Sequence, residues 1–218
     1  VHEVQRRAVE ASLQPHRRLQ LNEQVLRALG PDADASRLVH HAREAEDVEA
    51  IIEFTPLAAR AAIAAESRRE AAAHFRLLDP YLADMKPRAA ADILRDWSRQ
   101  EFYIHDPASV ELSERAIAAY RTCGDTRELG RSLAFSARVN MSYLRTETAL
   151  EHAEEAVAVL EPHGDLDSLA YSLTMLAYVT WLYEEDVPAS LEIVDRALAV
   201  ARESGDASAT IRALTTKG

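Results

Sequence analysis

"RAIAAYRTCGD" (115–125), "EAVAVLEPHGD" (155–165) and "RALAVARESGD" (196–206) are three versions of one ending, small and apolar residues at helical spacing closed by Gly-Asp. Glycine tolerates the left-handed conformation just past a helix end, and an aspartate directly after it can cap the free N–H groups of a following helix. The closing aspartates, 125, 165 and 206, stand 40 and 41 residues apart. Each unit therefore reads as two helices, over 126–144 and 147–161, then over 167–184 and 188–203, with a further unit opening near 207.

A period of 40 to 41 suits HEAT or armadillo units, or a tetratricopeptide unit lengthened from about 34 residues. Small residues decide between them. Ser109 and Ala116, Ala149 and Ala156, and Ser190 and Ala197 stand seven apart in the second helix of each unit. Two helical turns put both members of a pair on one face, where a neighbouring helix can approach closely. In the middle unit Ala156 follows Ser136-Ala137 by about the spacing of the shorter pattern, so the extra residues fall in the Gly-Asp connection. The expected fold class is all-α, a right-handed superhelix of tetratricopeptide-like pairs over residues 47–218.

Further upstream the echo weakens. "RREAAAHFRLLDPYL" (68–82) reads as a second helix, and "PRAAADILRDWSRQEFYI" (87–104) as a first helix with Pro87 at its first position. Asp106-Pro107 then turns the chain. Thr55-Pro56 reads as the start of a helix, with Asp47 capping a short one before it.

Composition excludes several classes of function. The chain has 218 residues, 48% hydrophobic and 28% charged, which is a folding composition. No run approaches the roughly 18 apolar residues of a membrane span and no leader opens the chain, so a cytoplasmic protein without a membrane partner is expected. The single cysteine, Cys123, excludes an internal disulfide and any multi-cysteine metal site. A net charge of −11 argues against nucleic-acid binding by this segment. Only Lys86 and Lys217 are lysines among 25 basic residues, as GC-rich coding produces. The absence of an initial Met, and an end about a dozen residues past Gly205-Asp206, read as a piece of a longer protein.

Residues 1–46 differ in character, with two helices broken at Gln14-Pro15 and closed by Gly30-Pro31, then "ASRLVHHAREAED" (35–47). His2-Glu3-Val4, Arg6-Arg7-Ala8-Val9, Pro15-His16-Arg17-Arg18, Val25-Leu26-Arg27-Ala28-Leu29 and Arg37-Leu38-Val39-His40-His41-Ala42 with Glu46-Asp47 resemble the segment after the ATPase core in large LuxR-family transcriptional regulators. The resemblance continues through "EAIIEFTPLAARAAIAAESRREAAAHF" (49–75). It implies a winged-helix-like segment over 1–46 and a sensor array that binds an effector or partner and biases a STAND-type ATPase. This chain has no G-x-x-x-x-G-K-[ST] loop, so ATP is expected only in an upstream domain and DNA binding only in a C-terminal one. A nucleotide cyclase output, or a stand-alone peptide-binding scaffold, is the alternative.

No catalytic constellation emerges from the residues, and no enzyme, metal or cofactor site is expected. His40 and Glu44 are two candidate ligands where a metal site needs more. Cys123 sits beside the negative end of a helix, where a thiolate is disfavoured. Arg6-Arg7 and His16-Arg17-Arg18 read as an internal packing module. Glu154-Glu155 and Glu184-Glu185-Asp186 read as solvated faces. The surface left for function is the concave groove lined by first helices. Register points to Arg131, Ala134, Arg138 and Met141 in one unit and Tyr171, Thr174, Tyr178 and Trp181 in the next, a wall suited to a protein or small anionic effector. A homo-oligomer is compatible with this reading.

Overall fold

The computed structural model describes residues 14–30, 33–184, 187–205 and 207–217. These form eleven α-helices, and none of them lies in a strand. The chain divides into two compact units, residues 1–84 and 85–218.

The first unit contains α1 (Pro15–Leu29), α2 (Ala35–Glu44), α3 (Val48–Ala64) and α4 (Arg68–Leu78), followed by a 3-10 turn at Asp79–Asp84. Successive helices pack in chain order, α1 on α2, α2 on α3 and α3 on α4. The helices on either side of Glu46-Asp47, where the sequence suggests a division, pack together. The described part of residues 1–46 is helical and supplies no strand for a wing. The sequence features within 1–13 lie outside the described residues.

Asp47 caps α3 by accepting from the Ala50 N–H at 3.0 Å. The helix start expected at Thr55-Pro56 does not exist. α3 runs through it, with Thr55 and Ala58 fully buried on a face that also carries Ile51, Phe54 and Ala59. Pro56 removes one backbone donor, and burial of this continuous apolar face outweighs the loss.

The second unit contains α5 (Pro87–Tyr103), α6 (Ala108–Cys123), α7 (Thr126–Ser142), α8 (Thr146–Leu160), α9 (Leu166–Glu184), α10 (Val187–Ser204) and α11 (Ala207–Lys217). α5 with α6, α7 with α8 and α9 with α10 form the pairs. Each pair packs on the next, with first helices α7, α9 and α11 side by side. The helix boundaries read from sequence agree with these to within a few residues. The seven-apart small residues of α6, α8 and α10 are all buried, as a close helix crossing requires.

Gly124 and Gly164 adopt left-handed φ of 72° and 65°, and Asp125 caps α7 by accepting from the Glu128 N–H at 3.0 Å. Asp206 lies outside the described residues. Within a pair the joint is different. His105 and Leu144 take the left-handed position at φ 61° and 58°, and the N–H of the next residue reaches back five positions, Asp106 to Glu101 and Arg145 to Asn140, each at 2.9 Å. This is the same helix-ending motif without its glycine.

An ion-pair ladder ties successive pairs together. Arg88, the second residue of α5, binds Asp125, and Arg127, the second residue of α7, binds Asp165 at 2.9 Å. Asp125 and Asp165 therefore each stand at the joint between two pairs and are held by the pair before it. Burial alone would raise the Asp165 carboxyl, but hydrogen bonds with Arg127 and Ser168 and the charges of Arg131 and Arg127 outweigh it and hold the group at about 2.

Candidate functional site

Helix repeats place the same position of successive first helices side by side, so one face of α5, α7 and α9 becomes a continuous wall. A cleft of about 660 Å³ opens there, lined by Arg95 and Arg99 of α5, Glu128, Arg131 and Arg138 of α7, and Tyr171 of α9, with Tyr103, Phe135, Asp167 and Ser168 completing it.

The cleft has two halves along the helix direction. In the first half the charges are satisfied. Arg95 donates to Asp92 at 3.0 Å, Asp96 at 2.9 Å and Glu128 at 2.9 Å, and also to the Tyr120 hydroxyl at 2.9 Å. That hydroxyl donates to Asp92 at 2.6 Å, and burial together with this bond pushes the phenol well above its ordinary range. Arg131 meets Glu128 at 2.8 Å, Asp165 at 2.9 Å and the Ser168 hydroxyl at 2.8 Å.

One to two turns further on, the partners change from carboxylates to rings. The Arg99 guanidinium lies 5.5 Å from the Phe135 ring centre and the Arg138 guanidinium 5.3 Å from that of Phe102. The two phenylalanines meet edge to face at 5.5 Å. Arg138 also donates to the Tyr171 hydroxyl, whose phenol burial nevertheless pushes up.

Of the residues read from sequence as a groove, Arg131, Arg138 and Tyr171 stand together in this cleft. Ala134, Met141 and Thr174 do not line it. Ala134 is in the core, Met141 packs with Ala149 and Val179, and buried Thr174 spends its hydroxyl on the Ala170 carbonyl at 2.8 Å. Tyr178 and Trp181 are exposed and line a separate cleft of about 490 Å³ with Val187, Ser190, Leu191, Thr215 and Thr216. The register used for α9 extended past the turn at which the wall ends. Sequence reasoning missed Arg95, Arg99, Tyr103 and Phe135. The signal was available as an arginine at positions 95 and 99, one turn apart on the first helix preceding α7.

Other candidates resolve into packing. His41 bonds Asn22 at 2.8 Å, His40 stacks edge to face on His41, and Glu44 pairs with Arg18. Among the described residues no three His, Cys, Asp or Glu converge as metal ligands. Cys123 is half-buried with its thiol directed at the Tyr120 carbonyl.

Ser136, His152 and Glu114 form a serine–histidine–carboxylate series, with 3.1 Å from the Ser136 hydroxyl to His152 Nδ1 and 3.7 Å from Nε2 to Glu114. Ser136 is fully buried, and Ser113 at 3.0 Å and Asn140 at 3.1 Å occupy its hydroxyl. A nucleophile needs a position beside it for the reacting carbon, and this one has none. The trio joins α6, α7 and α8.

Burial lowers His152 below the ordinary imidazole value, against the opposing pull of Glu114. The unfolded chain then takes up this proton first, so the stability contributed is complete above about pH 6.5 and is lost as pH falls below it. His152→Asn should flatten the fall in melting temperature between pH 7 and pH 5. An undiminished fall would assign it to other groups, of which His74, also lowered by burial, is one.

No protein-family model matches the chain and no curated protein matches its sequence. Solved structures do match. A kinesin light chain protein of nearly identical TPR-like repeats from Podosopora anserina is 14% identical with a TM-score of 0.60, over 76% of this chain and 83% of that one. Aspartyl phosphate phosphatase F from Bacillus subtilis is 12% identical with a TM-score of 0.66, over 99% of this chain and 58% of that one. BtubC (BKLC) from P. vanneervenii is 15% identical with a TM-score of 0.63, over 94% of this chain and 82% of that one. At these identities the likeness shows the fold, and the fold is an all-α, tetratricopeptide-like helical repeat.

Proposed function

We propose, from that fold, that this chain is a protein-interaction scaffold whose binding surface is the cleft of α5, α7 and α9. The observation that carries the reading is the lining itself, in which α5 and α7 present guanidinium groups, and all three first helices aromatic rings, to one open cleft. Arginine and tyrosine are, with tryptophan, the side chains enriched among those that dominate interface energies. No helix among the described residues is long and apolar enough to cross a membrane.

A random twelve-residue peptide display library selected against the chain should yield binders that lose about 1–3 kcal/mol of affinity on Arg138→Glu and on Tyr103→Ala. Helicity and melting temperature should stay unchanged, because Arg138 and Tyr103 are both exposed. Failure to enrich any peptide, or binders that ignore both substitutions and respond to Trp181→Ala instead, would remove the cleft as the binding surface.

The narrower reading makes this scaffold the sensor segment of a LuxR-type ATP-dependent regulator. It rests on the sequence resemblance alone, and none of the structural matches bears on it. The stand-alone scaffold is the better supported form, and nothing in the proposal depends on the narrower one.

A further inference from the structure

We infer that the partner segment taken up by this cleft is an acidic peptide, its carboxylates received by Arg99 and Arg138 over the aromatic floor of Phe102, Phe135 and Tyr171. The inference rests on the cleft being the binding surface and adds the chemistry of the occupant.

The argument is one of charge left over. In a chain of net charge −11 an arginine has an excess of carboxylates available to it. Arg95 and Arg131 have taken theirs, at 2.8 to 3.0 Å. Among the described residues Arg138 has no carboxylate within 4.0 Å, and it is exposed. Arg99 reaches only Asp96, at 4.0 Å, and Asp96 is already bound by Arg95 at 2.9 Å. Two cations therefore lie over rings without a close carboxylate of their own.

The ring contacts restrict where each guanidinium sits, so a carboxylate arriving there meets a positioned cation and costs less further side-chain ordering. The cleft's own carboxylates do not oppose this. Glu128 is saturated by Arg95 and Arg131, and Asp167 belongs to the first turn of α9, one turn before Tyr171. Half-exposed Tyr103 beside Arg99 offers the remaining apolar edge for a side chain flanking the acidic residue.

The test begins with the peptides selected on the wild-type chain. Their sequences should be enriched in Asp and Glu, and synthetic versions with Glu→Gln and Asp→Asn should bind about tenfold or more weakly by fluorescence anisotropy. Wild-type binding should weaken between about 0.05 and 0.3 M salt, as about two exposed ion pairs require. The Arg99→Gln/Arg138→Gln variant should bind acidic and neutralised peptides alike, with an unchanged melting temperature. If the double variant melts early, the single Arg138→Gln variant carries the same comparison.

Selected peptides of neutral or basic composition that still lose affinity on Tyr103→Ala would overturn the acidic occupant and leave the scaffold reading standing. Acidic peptides that bind the double variant as tightly as wild type would do the same. A single-stranded twelve-nucleotide probe that displaces the peptides at equal concentration would make the occupant a nucleic acid and overturn the inference. No enriched peptide at all would remove both readings.

Discussion

Leu160→Ala should lower the stability of the chain by about 2–5 kcal/mol, toward the upper end of that range, read as the shift in urea midpoint at constant slope. Leu160 is fully buried and sits directly on Gly130 of α7. A Cβ at position 130 would lie 2.5 Å from its Cγ and 2.8 Å from its Cδ2. The leucine fills the space that the glycine leaves, and with no side chain at 130 that space has little means to collapse.

Gly130→Ala should also destabilise. Better helix propensity contributes about 1 kcal/mol in its favour, but overpacking against a side chain enclosed on all sides costs about 1–3 kcal/mol. The double variant is the sharper measurement. The methyl group introduced at position 130 would occupy part of the volume vacated by Leu160, so the pair should lose at least about 1 kcal/mol less than the sum of the singles. Additive losses would mean that the two residues do not share one site.

Asp165→Asn should cost about 2 kcal/mol at pH 7, and the difference from wild type should disappear near pH 2. The carboxyl is held at about 2 against an ordinary value of 3.8. A depressed carboxylate contributes stability that is complete above the unfolded value and is lost as pH falls through the folded one, so the window is about pH 4 to pH 2. Chemical denaturation at about pH 7, 4 and 2.5 checks it. A difference that persists unchanged at the lowest of these would show that asparagine perturbs packing rather than removing a charge.

The fold was largely legible in the chain because each joint between pairs is written with a glycine that an L side chain replaces only with strain. The joints inside pairs carry no such glycine, and only Asp106-Pro107 marked one of them. Leu144 fills the left-handed position where no turn residue marks it, so the sequence placed the end of α7 at 144 where it closes at Ser142. Thr55-Pro56 failed in the opposite way, since a local start signal was overridden by burial on both sides of it.

The site was half legible for a related reason. Period and register located the face, and so Arg131, Arg138 and Tyr171, but which residues on that face are spent depends on pairings across 33 to 38 positions. The ladder from Arg88 to Asp125 and from Arg127 to Asp165 had a readable spacing of 37 and 38, yet arginine and aspartate are common on exposed helix ends. Nothing local separates these members from their neighbours.

That ladder also bears on how such a chain can lengthen. Residues 125–164 carry an acceptor at their first position, Asp125, and a donor at their third, Arg127, so they hold half of the joint before them and half of the joint after. A tandem duplication of this stretch would present its new aspartate to the existing Arg127 and its new arginine to Asp165, leaving no member of the ladder without its mate. Growth by one whole unit then preserves every rung of the ladder, whereas an insertion that shifts the donor relative to its acceptor would break one.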